Sequence, residues 1–179
     1  MVLDFGYPFE KHIYVTEDGY INTMHRICGP KGTTPGLSTG RPVIFFQPGL
    51  CSASSSICCN GPEFSIAYAL ADAGFDLWIN NSRGTTYSRA HRHLDPDVKA
   101  KGHEKYWEFS FQEMGQFDLP AAFNHVMKET GIQQFSYIGH SMGTTEIMVA
   151  LADNPDFYRP ILNLVILLGP VYTLHECLN

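Results

Sequence analysis

Four short apolar runs, Val43–Phe46, Phe75–Ile79, Phe135–Ile138 and Leu164–Leu168, dominate the folding problem posed by this sequence. Each is hydrophobic at nearly every position, as a strand covered on both faces is. The segments between them are too long for hairpin turns, and they carry helical periodicity. Phe64, Ala67, Tyr68 and Ala71 predict a helix over 63–73, closed by Gly74. After a long polar connection that begins Asn80-Asn81-Ser82-Arg83-Gly84, a second helix starts near Asp118. It has Pro120 in its first turn, Leu119, Ala122, Phe123 and Val126 on one face, and Gly131 at its end. A third carries Thr144, Ile147, Met148 and Leu151 and stops at Asn154-Pro155. Strands joined through crossover helices lie parallel in one sheet with helices on both faces, which is an α/β layout.

Ahead of this pattern, residues 12–27 read as a β-hairpin around Asp18-Gly19, followed by a Gly/Thr/Pro loop from Gly29 to Gly40. The 179 residues suit one domain, divided into a hairpin-and-loop portion (1–40) and the strand–helix core (41–179). Hydrophobic residues at 44% argue for a packed core. Twelve basic against eighteen acidic side chains make the net charge −6, a poor balance for gripping nucleic acid. The longest aliphatic run, Leu164–Leu168, is far short of the ~18 residues a membrane span needs. The first residues, with Asp4 and Glu10 among aromatics, lack the pattern of a signal peptide. The expectation is therefore a soluble chain of unknown compartment. Cys28, Cys51, Cys58, Cys59 and Cys177 contain no CxxC spacing, so neither a disulfide framework nor a structural zinc site is expected.

Chemistry concentrates at Gly139-His140-Ser141-Met142-Gly143. An apolar strand leads into this Gly-x-Ser-x-Gly and an amphipathic helix leads out, the setting in which such a serine is a nucleophile on a strained turn. Gly139 and Gly143 are then small because the turn is too tight for side chains. The serine hydroxyl sits over a helix N-terminus, whose free N–H groups and partial positive charge favour an oxyanion. The Met142 N–H is the first candidate donor. The second is the Leu50 N–H, in Gln47-Pro48-Gly49-Leu50 after the first strand. The competing reading is a Gly-rich turn with a capping serine, beside an ordinary Pro-Gly turn. His91-Arg92-His93, with Arg83 and Arg89, reads as a solvated loop or as a patch for an anionic headgroup. His140 reads as packing or structural, and Asn80-Asn81-Ser82 matches a glycosylation acceptor inside a strand end.

In order along the chain come Gly6-Tyr7-Pro8, Thr16-Glu17-Asp18-Gly19-Tyr20, Arg41-Pro42-Val43, the stretch from Leu70 to Trp78, Asn81-Ser82-Arg83-Gly84, Trp107-Glu108-Phe109-Ser110-Phe111, Glu113-Met114, Asp118-Leu119-Pro120-Ala121, Gly139-His140-Ser141 and Gly143-Thr144-Thr145. With these motifs the sequence resembles the acid lipase family of the α/β-hydrolases over nearly its whole length. The resemblance implies a serine esterase of neutral lipid esters, with Ser141 as nucleophile, Leu50 and Met142 as main-chain oxyanion donors, and no cofactor or metal. Members of that family are lysosomal or secreted.

Three departures qualify it. Pro48 stands where the family has His, and Met142 where it has Gln. The acid and base of the triad follow the nucleophile in chain order, yet after Ser141 there is one histidine, His175, outside the place of a catalytic base. Asp153 and Asp156 read as solvated helix-end charges. The expectation is the N-terminal, nucleophile-bearing half of a hydrolase core, with the later strands, lid, acid and base absent, and little turnover by the chain alone. The open edge at 164–168 is expected to be covered either by the rest of a longer polypeptide or by a protein partner. The alternative is a non-catalytic hydrolase-fold subunit or scaffold.

Overall fold

Glu10–Val15 (β1), which alternates exposed and more covered positions, and Tyr20–Ile27 (β2), buried at every residue but Ile21, form an antiparallel hairpin, with Gly19 at φ 100° in the turn. The computed structural model describes residues 1–36, 40–97 and 99–173. The apolar runs become Val43–Gln47 (β3), Asp76–Asn81 (β4), Phe135–His140 (β6) and Leu162–Leu168 (β7), with a two-residue strand, Ala90–His91 (β5), against β2. The sheet runs β1-β2-β4-β3-β6-β7. β3 pairs in parallel with β4 and β6, and β6 with β7, while β2 joins β4 antiparallel. This is the expected α/β sheet.

Helices cover both faces. Ile66–Asp72 (α1) buries Ala67, Tyr68 and Ala71 against Ile44, Phe46, Leu77, Ile79 and Ile138. It starts three residues later than its periodicity suggests, because Ser65 is still extended, at φ −103° and ψ 128°. On the opposite face lie Leu119–Thr130 (α3) and Met142–Asp153 (α4), with the short Pro155–Tyr158 (α5) after them. There Leu119, Phe123, Val126 and Ile147 pack on Phe45, Trp78, Phe135 and Tyr137. The polar connection before α3 is more ordered than its composition implies. Ser110 and Glu113 form a reciprocal cap for Phe111–Glu113 (α2), and a π-helical turn, Met114–Asp118, carries the chain into α3. Among the described residues no helix is long and apolar enough to cross a membrane.

Among the four apolar runs, β7 is the exception to burial. Leu164 is 52% exposed and Ile166 37%, and among the described strands β7 pairs with β6 alone. Cys28 and Cys58 are buried thiols, whereas Cys51 and Cys59 are exposed. Cys177 and His175 lie outside the described residues.

Candidate active site

Ser141 joins β6 to α4 at φ 51° and ψ −120°, a left-handed conformation that side chains avoid without compensation. Its backbone is held from both sides. The Ser141 N–H donates to the Leu168 carbonyl at 2.9 Å, and the Ser141 carbonyl accepts from the Thr144 N–H (2.9 Å) and hydroxyl (2.6 Å). The neighbouring glycines are small for measurable reasons. A Cβ at Gly143 would lie 2.5 Å from the Gln47 carbonyl oxygen, and one at Gly139 2.8 Å from the Gly143 carbonyl oxygen.

Sequence reasoning assigned no role to Gly49, yet a Cβ there would stand 2.8 Å from the Ser141 Cβ. The loop after β3 thus lies directly on the serine. The signal was present in Pro48-Gly49, since a glycine after a strand end admits close backbone approach. Leu50 follows, 69% exposed, and the next residue, Cys51, is itself at φ 55°.

Ser141, Met142 and Leu50 border one groove of about 880 Å³, whose other walls are mainly apolar: Phe109, Phe111, Met114, Met148 and Val149 among them. Met142 is the first residue of α4, so its N–H has no acceptor within the helix. No histidine or carboxylate borders this groove among the described residues. Asp153 is at the far end of α4, roughly 16 Å along the axis at 1.5 Å per residue, where it accepts from Gln116 Nε2. Asp156 is exposed beside Arg159.

Beneath the turn lies a buried polar network. Tyr14 Oη donates to Asn80 Oδ1, Asn80 Nδ2 to Gln47 Oε1, and Gln47 Nε2 to Ser82 Oγ, at 2.7–2.8 Å. Asn80 is fully buried in this chain of bonds, which removes it as a glycosylation acceptor. Beside it the Arg83 Nε and Nη2 donate to Asp118 Oδ1 at 2.9 and 2.8 Å, and its Nη1 and Nη2 reach the Asp18 carboxylate at 2.6 and 3.0 Å. Arg83 is therefore a buried ion-pair residue and no part of a surface patch. His91 is also structural: Nε2 meets the Asp18 carbonyl, and Nδ1 accepts from the N–H groups of His93 and Leu94. His140, read as packing or structural, is exposed, which removes the packing role.

A strand, a serine at positive φ, a helix and a glycine loop over the serine form the signature of one fold, and residues 42–177 match the family model described as the alpha/beta hydrolase fold. The chain belongs to the α/β-hydrolase fold family. Residues 1–61 also match a partial α/β-hydrolase lipase region. Human gastric triacylglycerol lipase is 43% identical over 90% of this chain and 39% of its own length. Human lysosomal acid lipase/cholesteryl ester hydrolase is 40% identical over 96% of this chain and 41% of its own, and Drosophila melanogaster Lipase 3 is 45% identical over 93% and 40%. The resemblance to acid lipases read from the motifs holds. The chain spans about two-fifths of the length of these relatives. Among solved structures, an α/β hydrolase from Novosphingobium aromaticivorans superposes with a TM-score of 0.57 at 21% identity, covering 90% of this chain and 44% of that one. A Pyrococcus furiosus esterase gives 0.56 at 14%, covering 90% and 52%. At these identities the structures speak to the fold alone. Among the described residues no group of three or more His, Cys, Asp or Glu is placed to hold a metal ion.

Proposed function

We propose that this chain carries the nucleophile half of a lipase-type serine hydrolase acting on neutral lipid carboxylic esters. The observation that carries the reading is Ser141, at positive φ between β6 and α4, bordering an apolar groove with the Gly49 backbone packed against its Cβ. The Ser141 Oγ attacks the ester carbonyl carbon and gives its proton to a base. The carbonyl oxygen becomes an oxyanion, held by the N–H groups of Leu50 and Met142. Collapse expels the alcohol, which takes up that proton and leaves an acyl-Ser141 ester, and water then releases the carboxylic acid. The groove accommodates the acyl chain: Phe109, Phe111, Met114 and Met148 favour hydrocarbon over water. Gastric triacylglycerol lipase and lysosomal acid lipase/cholesteryl ester hydrolase, as relatives, make lipid esters the substrate class of choice.

The acid and base come from polypeptide outside residues 1–179, which also covers β7, and these residues alone turn over ester slowly or not at all. A second reading, a non-catalytic hydrolase-fold subunit, draws on the lack of any histidine or carboxylate at the groove among the described residues. Fluorophosphonate labelling of the protein from its natural source, read on a denaturing gel beside Ser141→Ala, separates the two. A band that vanishes in the variant supports the hydrolase. An unlabelled wild type of 20.1 kDa favours the scaffold.

A further inference from the structure

Glu146 was expected on neither the apolar stripe of its helix nor the site, yet it is fully buried, one turn beyond Met142. Neither of its carboxyl oxygens closes a hydrogen bond of good geometry. The polar groups around it come from four other elements. The Ser82 hydroxyl and Arg83 follow β4, Asp118 ends the π-helical turn, Tyr14 is on β1 and Tyr137 on β6. The backbone fit is close too: a Cβ on Gly115 would lie 2.7 Å from the Glu146 carbonyl oxygen.

Charge counting decides its state. Arg83 is the cation facing this pocket, and it is already shared by the carboxylates of Asp118 and Asp18. Asp18 is partly exposed, so the fully buried pair is Arg83 with Asp118 and it is already neutral; an ionised Glu146 would be a buried charge without a countercharge, and such a carboxyl keeps its proton. Burial first, then the Asp118 charge, pushes the Glu146 carboxyl well above the ordinary carboxylate range.

We propose that Glu146 is a positioning residue: as a neutral acid it seats the first turns of α4 on the ends of β3 and β4, and loss of its proton loosens that seat. The route runs through Ser82, whose Oγ accepts from Gln47 Nε2, to the loop bearing Gly49 and Leu50; on α4 the same helix begins with Met142. The proton stands independently of the acyl-transfer reading. Its effect on the oxyanion donors rests on that reading.

The test compares wild type with Glu146→Gln in the full-length chain. The unfolded glutamate ionises near its ordinary value of about 4.3, while the folded one keeps its proton. The stability this confers is complete below that value and is lost as pH rises toward the folded group's own pKa. The wild-type unfolding constant therefore grows relative to the variant's by about tenfold per pH unit above roughly pH 5. A ratio that stays constant with pH overturns the proton. Carboxyl ¹³C labelling of the wild type checks it without a variant: one glutamate stays in the acid form well above the pH at which the others ionise, and ordinary titration of every glutamate overturns the proposal. Fluorophosphonate labelling of Ser141 should slow in wild type relative to Glu146→Gln as pH rises. Identical profiles would overturn the link to the oxyanion donors, and absence of labelling in both proteins would overturn that link together with the Ser141 reading, while the unfolding and ¹³C results still decide the proton.

Discussion

β3 and β7 are both mainly apolar as sequences, Val-Ile-Phe-Phe-Gln against Leu-Asn-Leu-Val-Ile-Leu-Leu, and opposite as structures. Every residue of β3 is buried, between β4 and β6 and under helices on both faces, whereas β7 leaves Leu164, Ile166, Leu167 and Leu168 each at least 36% exposed. An apolar run records the environment a strand is suited to. Whether that environment is filled depends on neighbours elsewhere in the chain or on another molecule.

If this contrast is energetic, substitutions should lose force from the middle of the sheet to its margin. Phe45→Ala removes a fully buried ring packed edge-on against Phe123 and stacked on Tyr137, and should cost about 4 kcal/mol in chemical denaturation. Arg83→Met strands the Asp118 carboxylate in the core and should cost about 3 kcal/mol by the same measurement. Gly143→Ala drives a methyl against the Gln47 carbonyl beneath the Gly-x-Ser-x-Gly turn. It should cost about 2 kcal/mol and abolish fluorophosphonate labelling, and a labelled, fully stable variant would contradict the packing described.

His25 on β2 supplies a pH test. Burial, then the Lys11 charge, pushes its imidazole down to about 4, so the folded state holds it neutral. The stability tied to it is present above the ordinary histidine value near 6.5 and lost as pH falls toward 4. Relative to His25→Gln, wild type should lose about 1 to 2 kcal/mol over that window, followed by thermal melting. Smallest of all, Leu164→Lys should shift stability by under about 0.5 kcal/mol while lowering self-association in sedimentation. A large loss of stability there would mean that the margin is covered in solution.

Much of this architecture is legible in the residues. The four apolar runs, the hairpin and the Gly-x-Ser-x-Gly turn all fall where periodicity and glycine chemistry put them, because each is a local property of a few neighbouring side chains. What escapes local reading is pairing across the fold. Asp118 looks like a helix start, Arg83 like a member of a basic loop, and Glu146 like the polar side of an amphipathic helix. Their burial depends on one another across 63 positions of sequence, from 83 to 146. The helical turns before α3 escaped for a different reason. Gly115 in mid-turn suggests a break, but its missing side chain is what lets α4 approach. The same holds for Gly49, which reads as a turn until Ser141 is seen against it.

The hydrogen bond from the Ser141 N–H to Leu168 has a consequence for how this molecule could be watched. The serine's own amide is latched to the least sheltered strand of the sheet, and Thr145 and Val171 add a second latch just beyond, Oγ1 to carbonyl at 2.8 Å. Amide exchange at position 141 therefore reports on the margin as well as on the turn. Whatever docks along β7 would slow that single proton before any ester is added, so the proposed nucleophile doubles as a built-in gauge of how complete the sheet around it has become.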